Sequence, residues 1–323
     1  MRPIPADFIE VFAGRELTGD GVMKLPFVQA LRSAWPRARI VWLAGGKSVF
    51  ASTLRPLTLD LLDEVVEDTG LGGSWTDLVR PRLREARADL LIDTQRQVRT
   101  SLALMRLRPK IFVSAAAGWR LSARAPADRA KPPSMLGQMM RLIAACGAET
   151  DFSGLPPLKL PQALEEEAAL RLPGGAVRVG LAPGAGDRRK CWPLERFLGL
   201  GACLAKRGAA PVVLLGPAEQ EWAATVARAL PEAVLPVRAD DSPLLTMALA
   251  RRLAVAVAND SGIGHLIAAA GTRLVSLFGP TAPEKFAPQA PGVSVIRAQD
   301  FGAAAMSAIP EAAVLAATAA LLR

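Results

Sequence analysis

Apolar residues along this chain fall into short runs, separated by longer stretches in which apolar positions recur every three or four residues. In the first half the runs are FIEVFA (8–13), ARIVWLA (38–44), EVVE (64–67), DLLID (89–93) and KIFVS (110–114), and they predict strands. The stretches MKLPFVQALRSAW (23–35) and RTSLALMRLR (99–108) predict helices between them. A proline-rich segment, SGLPPLKLPQ, then reads as a linker, and the alternation restarts with VRVGLA (177–182), APVVLLG (210–216), LAVAVAND (253–260) and TRLVSLFG (272–279). Runs that are apolar at nearly every position suit parallel strands covered by helices on both faces. The expected fold is therefore α/β, with two Rossmann-like doubly wound domains facing each other across a cleft. The boundaries are 1–155 and 156–323, with room for the last helix to pack back on the first domain.

Composition narrows the picture. None of the apolar runs approaches the ~18 uninterrupted residues of a membrane-spanning helix, and MRPIPADFIEVFAG lacks the charged-then-apolar layout of a secretory signal. A cytoplasmic protein is expected. With one histidine and three unpaired-looking cysteines (Cys146, Cys191, Cys203), a Cys/His zinc site is not expected. All three are expected to be small buried or half-buried thiols, with Cys191 set apart because the cations before it could lower its pKa. The net charge of +9 is concentrated: residues 80–131 hold thirteen Lys/Arg against four Asp/Glu. Such a segment suits anionic lipid or an acidic substrate, or is simply a solvated arginine-rich face. Tyrosine is absent and aromatics are 5%, so base-stacking platforms are scarce and nucleic acid is not an expected partner.

In doubly wound sheets ligands bind where strands lead into helices, and three such loops carry chemistry. PGAGDRRKCWPLERF (183–197) combines Gly184 and Gly186, which permit close backbone approach, with Lys190 and a helix opened by Pro193. A phosphate or diphosphate would fit it; a basic turn facing solvent is the competing reading. In NDSGIGHLIAAAG (259–271), Asp260, Ser261, Gly262 and Gly264 open a helix whose first turn holds His265. Its free amides and dipole make a second anion cradle, although a lone histidine there also serves as a capping or core residue. The third loop, GRELTGDGVMKLPF (14–27), places Asp20 between two glycines, as a cleft carboxylate or a helix N-cap. AGGKS (44–48) is not a phosphate loop, because Val41 occupies the position of the first glycine. No D-x-D triplet is present to hold a metal against a diphosphate.

Taken in order, APGAGDRRKCWPLERF, VVLLGPAEQE and NDSGIGHLIAAAGTRLVSLFGPTAPEKFAP resemble glycosyltransferase family 9, the ADP-heptose:lipopolysaccharide heptosyltransferases. TGDGVMKLPFVQALRSAWPRARIVWLAG resembles the family's N-terminal G-D segment more loosely. The resemblance implies a GT-B architecture with the acceptor in the first domain and the nucleotide-sugar in the second. It implies inverting, metal-independent transfer of a heptose from an ADP-sugar, with no cofactor. The acceptor would be a lipopolysaccharide core or similar anionic glycolipid at the inner face of the membrane. By matching position, Asp20 is the catalytic base and Lys190 the diphosphate lysine. Gly184, Ala185, Gly186, Asp260, Ser261, Gly262 and His265 lie under the donor, Glu219 near its ribose, and Met247 beside its adenine. A nucleotide-sugar epimerase on the same architecture, or a sugar-nucleotide-binding protein without transferase activity, are the alternatives. Two departures sit in the first half: the loop AGRELTGD is longer than the family's G-A-x-G-D, and Arg96 replaces the glycine of D-x-Q-G.

Overall fold

The structure is a computed structural model and describes residues 3–16, 18–71, 87–148 and 155–323. The chain divides between Pro156 and Pro157 into two compact units. Arginines 80, 82 and 84 of the basic segment lie outside the described residues.

The first unit runs β1 (Phe8–Ala13), α1 (Thr18–Ala34), β2 (Arg39–Ala44), α2 (Arg55–Thr58), β3 (Glu64–Val66), β4 (Leu90–Asp93), α3 (Val98–Met105), β5 (Ile111–Ser114) and α4 (Met135–Ala145). Its strands form a parallel sheet of order β3-β2-β1-β4-β5. Chain order reverses between β1 and β4, so the loops after those two strands diverge and leave a crevice at the sheet's carboxyl edge.

The second unit runs α5 (Gln162–Arg171), β6 (Arg178–Ala182), α6 (Leu194–Ala205), β7 (Ala210–Val213), α7 (Ala223–Ala229), α8 (Pro243–Ala250), β8 (Val255–Asn259), α9 (Gly262–Ala269), β9 (Leu274–Phe278), α10 (Pro283–Phe286), β10 (Val293–Arg297) and α11 (Glu311–Leu322). Its parallel sheet has the order β10-β9-β8-β6-β7, and the reversal falls between β6 and β8. Alternate residues of each central strand enter two separate cores. Val255 and Val257 join Trp192, Phe197 and Val314 on one face. Ala256 and Ala258 join Leu245, Leu249 and Ile267 on the other. That two-sided burial explains why these strands are apolar at almost every position.

The structure departs from the sequence reading at two places. β10 was not expected: it is short, half-exposed and at the sheet's edge, so VSVIR carries little apolar signal. α1 begins at Thr18, because Gly19 and Gly21, which read as loop residues, sit inside its first turns. That puts Asp20 on the helix rather than before it. The last helix packs on the sheet of its own unit, against α6, β8 and β9, with Val314 and Thr318 fully buried. Among the described residues no helix is long and apolar enough to cross a membrane.

The carboxyl end of β8 fixes the neighbouring loop. Asn259, fully buried, accepts a hydrogen bond from the Trp192 backbone N–H (3.0 Å) and donates one to the Pro183 carbonyl (2.7 Å). One amide side chain therefore holds both ends of the loop after β6. Replacing it by alanine orphans a buried donor and a buried acceptor at once, each costing about 1–3 kcal/mol. Asn259→Ala should lower stability by about 2–6 kcal/mol, read as a reduced urea midpoint.

Candidate functional site

In the second unit three loops meet at the β6/β8 reversal. After β6, the chain makes a short 3-10 turn over Arg188–Lys190, capped by Asp187, whose carboxylate accepts from the Arg189 N–H at 3.0 Å. The three consecutive cations have different fates. Arg189 folds back onto Asp187 (2.7 Å), and that hydrogen-bonded pairing holds the Asp187 carboxyl down at about 2. Arg188 pairs with exposed Glu221 and stacks over the Trp222 ring at 4.6 Å. Lys190 alone turns to the loop after β8, where its ammonium meets Asp260 at 2.7 Å.

Asp260 is 7% exposed and also accepts a hydrogen bond from the Thr281 hydroxyl (2.7 Å), which belongs to the loop after β9. The Asp260 carboxylate thus joins the loops after β6, β8 and β9. An ammonium has three donors, so one can serve Asp260 while others remain for an anion. Beside it, α9 starts with Ser261 as its N-cap, the hydroxyl accepting from the Gly264 N–H. Gly262 and buried His265 fill the first turn, whose amides carry the positive end of the helix dipole.

Glu219 lies in the 3-10 turn Pro217–Trp222 after β7 and is 8% exposed. Burial pushes its carboxyl above the usual range, against the pull of Arg188. Its carboxylate occupies the space that a β-carbon at Gly184 or Gly216 would need. Gly184 is therefore glycine to admit Glu219, whereas Gly186 borders open space and keeps its backbone accessible. Half-buried Ala185 lies between them. Met247 has no exposed surface, and every residue of α8 from Leu244 to Ala250 is buried. The cations near Cys191 do not activate it. Burial dominates and pushes that thiol up, as it pushes Cys146 to about 12.

The first unit has its own pocket, of about 220 Å³, at the β1/β4 reversal. Asp20, in the first turn of α1, lines it with Arg15, Lys24, Gln95, Arg96 and, from α4, Met139. The sequence reading missed the residues that shape it. Glu16, buried, accepts from Lys24 (2.5 Å), the Ser48 hydroxyl (2.6 Å) and the Trp42 indole (3.3 Å), and so anchors the long loop after β1. Asp93, buried at the end of β4, accepts from Ser101 (2.5 Å), Ser114 (2.9 Å) and the Gln95 N–H (2.8 Å). Burial raises its carboxyl above the usual range while those donors oppose the shift. The tight turn that follows leaves Arg96 at φ +58°, in the left-handed region, a conformation costing a residue with a β-carbon about 1–2 kcal/mol. AGGKS forms no phosphate cradle: Lys47 is exposed and paired with Asp68 at 2.8 Å.

The family model for glycosyltransferase family 9 (heptosyltransferase) matches residues 77–311. No curated protein matches the chain in sequence. Among solved structures, a family 9 glycosyltransferase from Veillonella parvula is similar over 100% of this chain and 98% of its own, with 20% identity and a TM-score of 0.74. The E. coli ADP-heptose lipopolysaccharide heptosyltransferase II is similar over 97% and 98%, with 21% identity and a TM-score of 0.68. E. coli heptosyltransferase WaaC, solved with ADP-2-deoxy-2-fluoro heptose, is similar over 95% and 97%, with 20% identity and a TM-score of 0.64. These likenesses give the two parallel α/β sheets their fold type, GT-B-like. With the family model spanning most of its length, the chain belongs to glycosyltransferase family 9.

Proposed function

We propose that this glycosyltransferase moves a heptose, or a closely related sugar, from an ADP-sugar to a lipopolysaccharide-core or similar anionic glycan, with inversion at the anomeric carbon. The observation that carries the reading is the Lys190–Asp260 pair at the β6/β8 reversal, with the α9 N-terminus beside it. In that arrangement the diphosphate lies between the Lys190 ammonium and the amides of 261–265. Both are fixed before the ligand arrives and need no reorganisation as charge builds on the departing ADP. Asp260 acts mainly by positioning. Being anionic, it repels the phosphates, but it holds Lys190 where its remaining N–H groups reach them. His265 donates to a phosphate or ribose oxygen, and Glu219, poised by burial, accepts from a ribose hydroxyl. Met247 stands behind the adenine as part of the wall.

Asp20 takes the proton from the acceptor hydroxyl. That oxygen bonds to the anomeric carbon as the bond from carbon to the β-phosphate oxygen breaks, and ADP leaves with the electron pair. Charge on the leaving group is carried by Lys190 and main-chain amides, so the reading assigns no metal or cofactor to the transfer. The structural likeness to a heptosyltransferase solved with an ADP-heptose analogue supports the donor class.

The reading places the protein in the cytoplasm, in peripheral contact with the inner face of the membrane. Ten Lys/Arg against three Asp/Glu in residues 87–131 support that contact. So does the outer stripe of α3, where Val98, Leu102 and Met105 recur at helical spacing and are 46%, 37% and 41% exposed among arginines. An anionic lipid surface matches both the apolar stripe and its basic surround.

Three measurements test these assignments. Asp20→Asn should keep ADP affinity and lose about 10²–10⁴-fold in turnover; a wild-type rate in that variant removes Asp20 from the reaction. Lys190→Ala leaves Asp260 without its cation beside the phosphates, so calorimetric ADP affinity should fall by about 100-fold, the upper end of the range for a charge-assisted hydrogen bond. Sedimentation with anionic vesicles should carry the protein down at low salt and release it at high salt. Equal behaviour with neutral vesicles returns the basic segment to a solvated surface.

A further inference from the structure

The first unit's pocket holds a charge arrangement that the transfer reaction does not use. Three of its lining residues are cationic, Arg15, Lys24 and Arg96, against the single carboxylate of Asp20. Lys24 is already committed to buried Glu16 and lies over the Trp42 ring. Neither Arg15 nor Arg96 has an acidic partner among the described residues. The pocket therefore presents two guanidinium groups that form no ion pair among the described residues, so its cations outnumber the one carboxylate, Asp20, that lines it.

Arg96 is held there at a cost. Asp93 accepts from the Gln95 N–H at 2.8 Å and is itself locked by Ser101 and Ser114, so the turn at the end of β4 is fixed by buried hydrogen bonds. The Gln95 side chain lies against Gly14, where a β-carbon would approach its Oε1 to 2.8 Å. This rigid turn delivers residue 96 to the pocket in a left-handed conformation, φ +58°, that glycine adopts freely and arginine does not. A side chain kept at a strained position on the pocket wall points to a use for that side chain.

From this geometry we infer that Arg96, supported by Arg15, forms an anion subsite beside Asp20 that selects acceptors carrying a carboxylate or phosphate. The inference rests on the first unit being the acceptor half, and makes Arg96 a specificity-determining residue. A guanidinium presents paired N–H donors that match the oxygens of either anion. Placed beside the proposed base, it would hold the acidic group of a saccharide while a hydroxyl of the same saccharide faces Asp20.

Binding of small probes to the full chain, without donor, tests this. Ligand-observed NMR titrations would use glucose, glucuronate and glucose 6-phosphate against the wild type, Arg96→Gly, Arg96→Lys and Lys47→Ala. Glycine relieves the backbone strain, so Arg96→Gly should fold with an unchanged or higher melting temperature and bind ADP as the wild type does. It should bind the acidic sugars at least about tenfold more weakly, the loss of about 1.4 kcal/mol, with glucose unaffected. Arg96→Lys should recover part of the difference. The ratio of glucuronate to glucose 6-phosphate affinity distinguishes a carboxylate from a phosphate as the preferred anion. Lys47→Ala removes an exposed cation that does not line the pocket and is paired with Asp68, and should leave all three sugars unchanged. Acidic-sugar affinity that survives Arg96→Gly, or that falls as much in Lys47→Ala, overturns the inference. The readout involves no transfer: a chain that binds acidic sugars through Arg96 yet transfers none would keep this inference and sink the transferase reading.

Discussion

Everything chemical in the second unit hangs on two consecutive residues at the end of one strand. Asn259 spends its amide on holding the loop after β6 at both ends, and Asp260 spends its carboxylate on Lys190 and Thr281. Both side chains are buried, so neither can release its partners without leaving polar groups unsatisfied. Loops at a sheet edge are ordinarily the softest part of an α/β unit. Here three of them are tied to the most rigid element available, the central strand β8. A lysine borne on a loop is thereby given the fixed position that electrostatic preorganisation requires.

The first unit solves the same problem with different residues. Its reversal also lies beside β1, and its loops are fixed by a buried polar residue at the end of the adjacent strand. Asp93 locks the turn after β4, while Glu16 locks the loop after β1 through Lys24, Ser48 and Trp42. Each unit thus places a buried, hydrogen-bonded polar group next to the point where chain order reverses. The parallel sheet supplies the crevice, and these groups supply its rigidity.

How far the sequence revealed this follows from what each feature does to the pattern of residues. Strands buried on both faces announce themselves as apolar runs, so β1, β2, β4, β6, β8 and β9 were legible to within two residues, whereas edge strand β10 was not. The loops that carry Lys190 and Asp260 were legible because glycines, cations and a helix start are unusual in combination. Two kinds of information were hidden. Nothing in "DRRK" says that Arg188 and Arg189 pair with Glu221 and Asp187 and leave only Lys190 for Asp260. Nor does the sequence say that Gly184 is small for the sake of Glu219, thirty-five positions away, since that is a contact in space. Glu16 and Asp93 escaped for a similar reason: an acidic residue gives no local sign of being buried until its donors are placed.

The distribution of departures from the family pattern follows the same physical division. The motifs that resemble glycosyltransferase family 9 most closely are those whose side chains are locked to one another in the second unit. A change at Asn259 or Asp260 would disturb two partners at a time, and one at Lys190 would leave the buried Asp260 carboxylate without its cation. The departures, the longer loop and Arg96, fall in the first unit, and both are held by buried carboxylates, Glu16 and Asp93. Glu16 anchors the added loop length in a buried ion pair, and the Asp93 turn holds Arg96 without requiring its side chain for support. The first unit can therefore vary what lines its pocket while its backbone stays fixed. On the proposed reading, the second unit of this chain keeps the geometry that releases ADP while the wall facing the acceptor is free to differ.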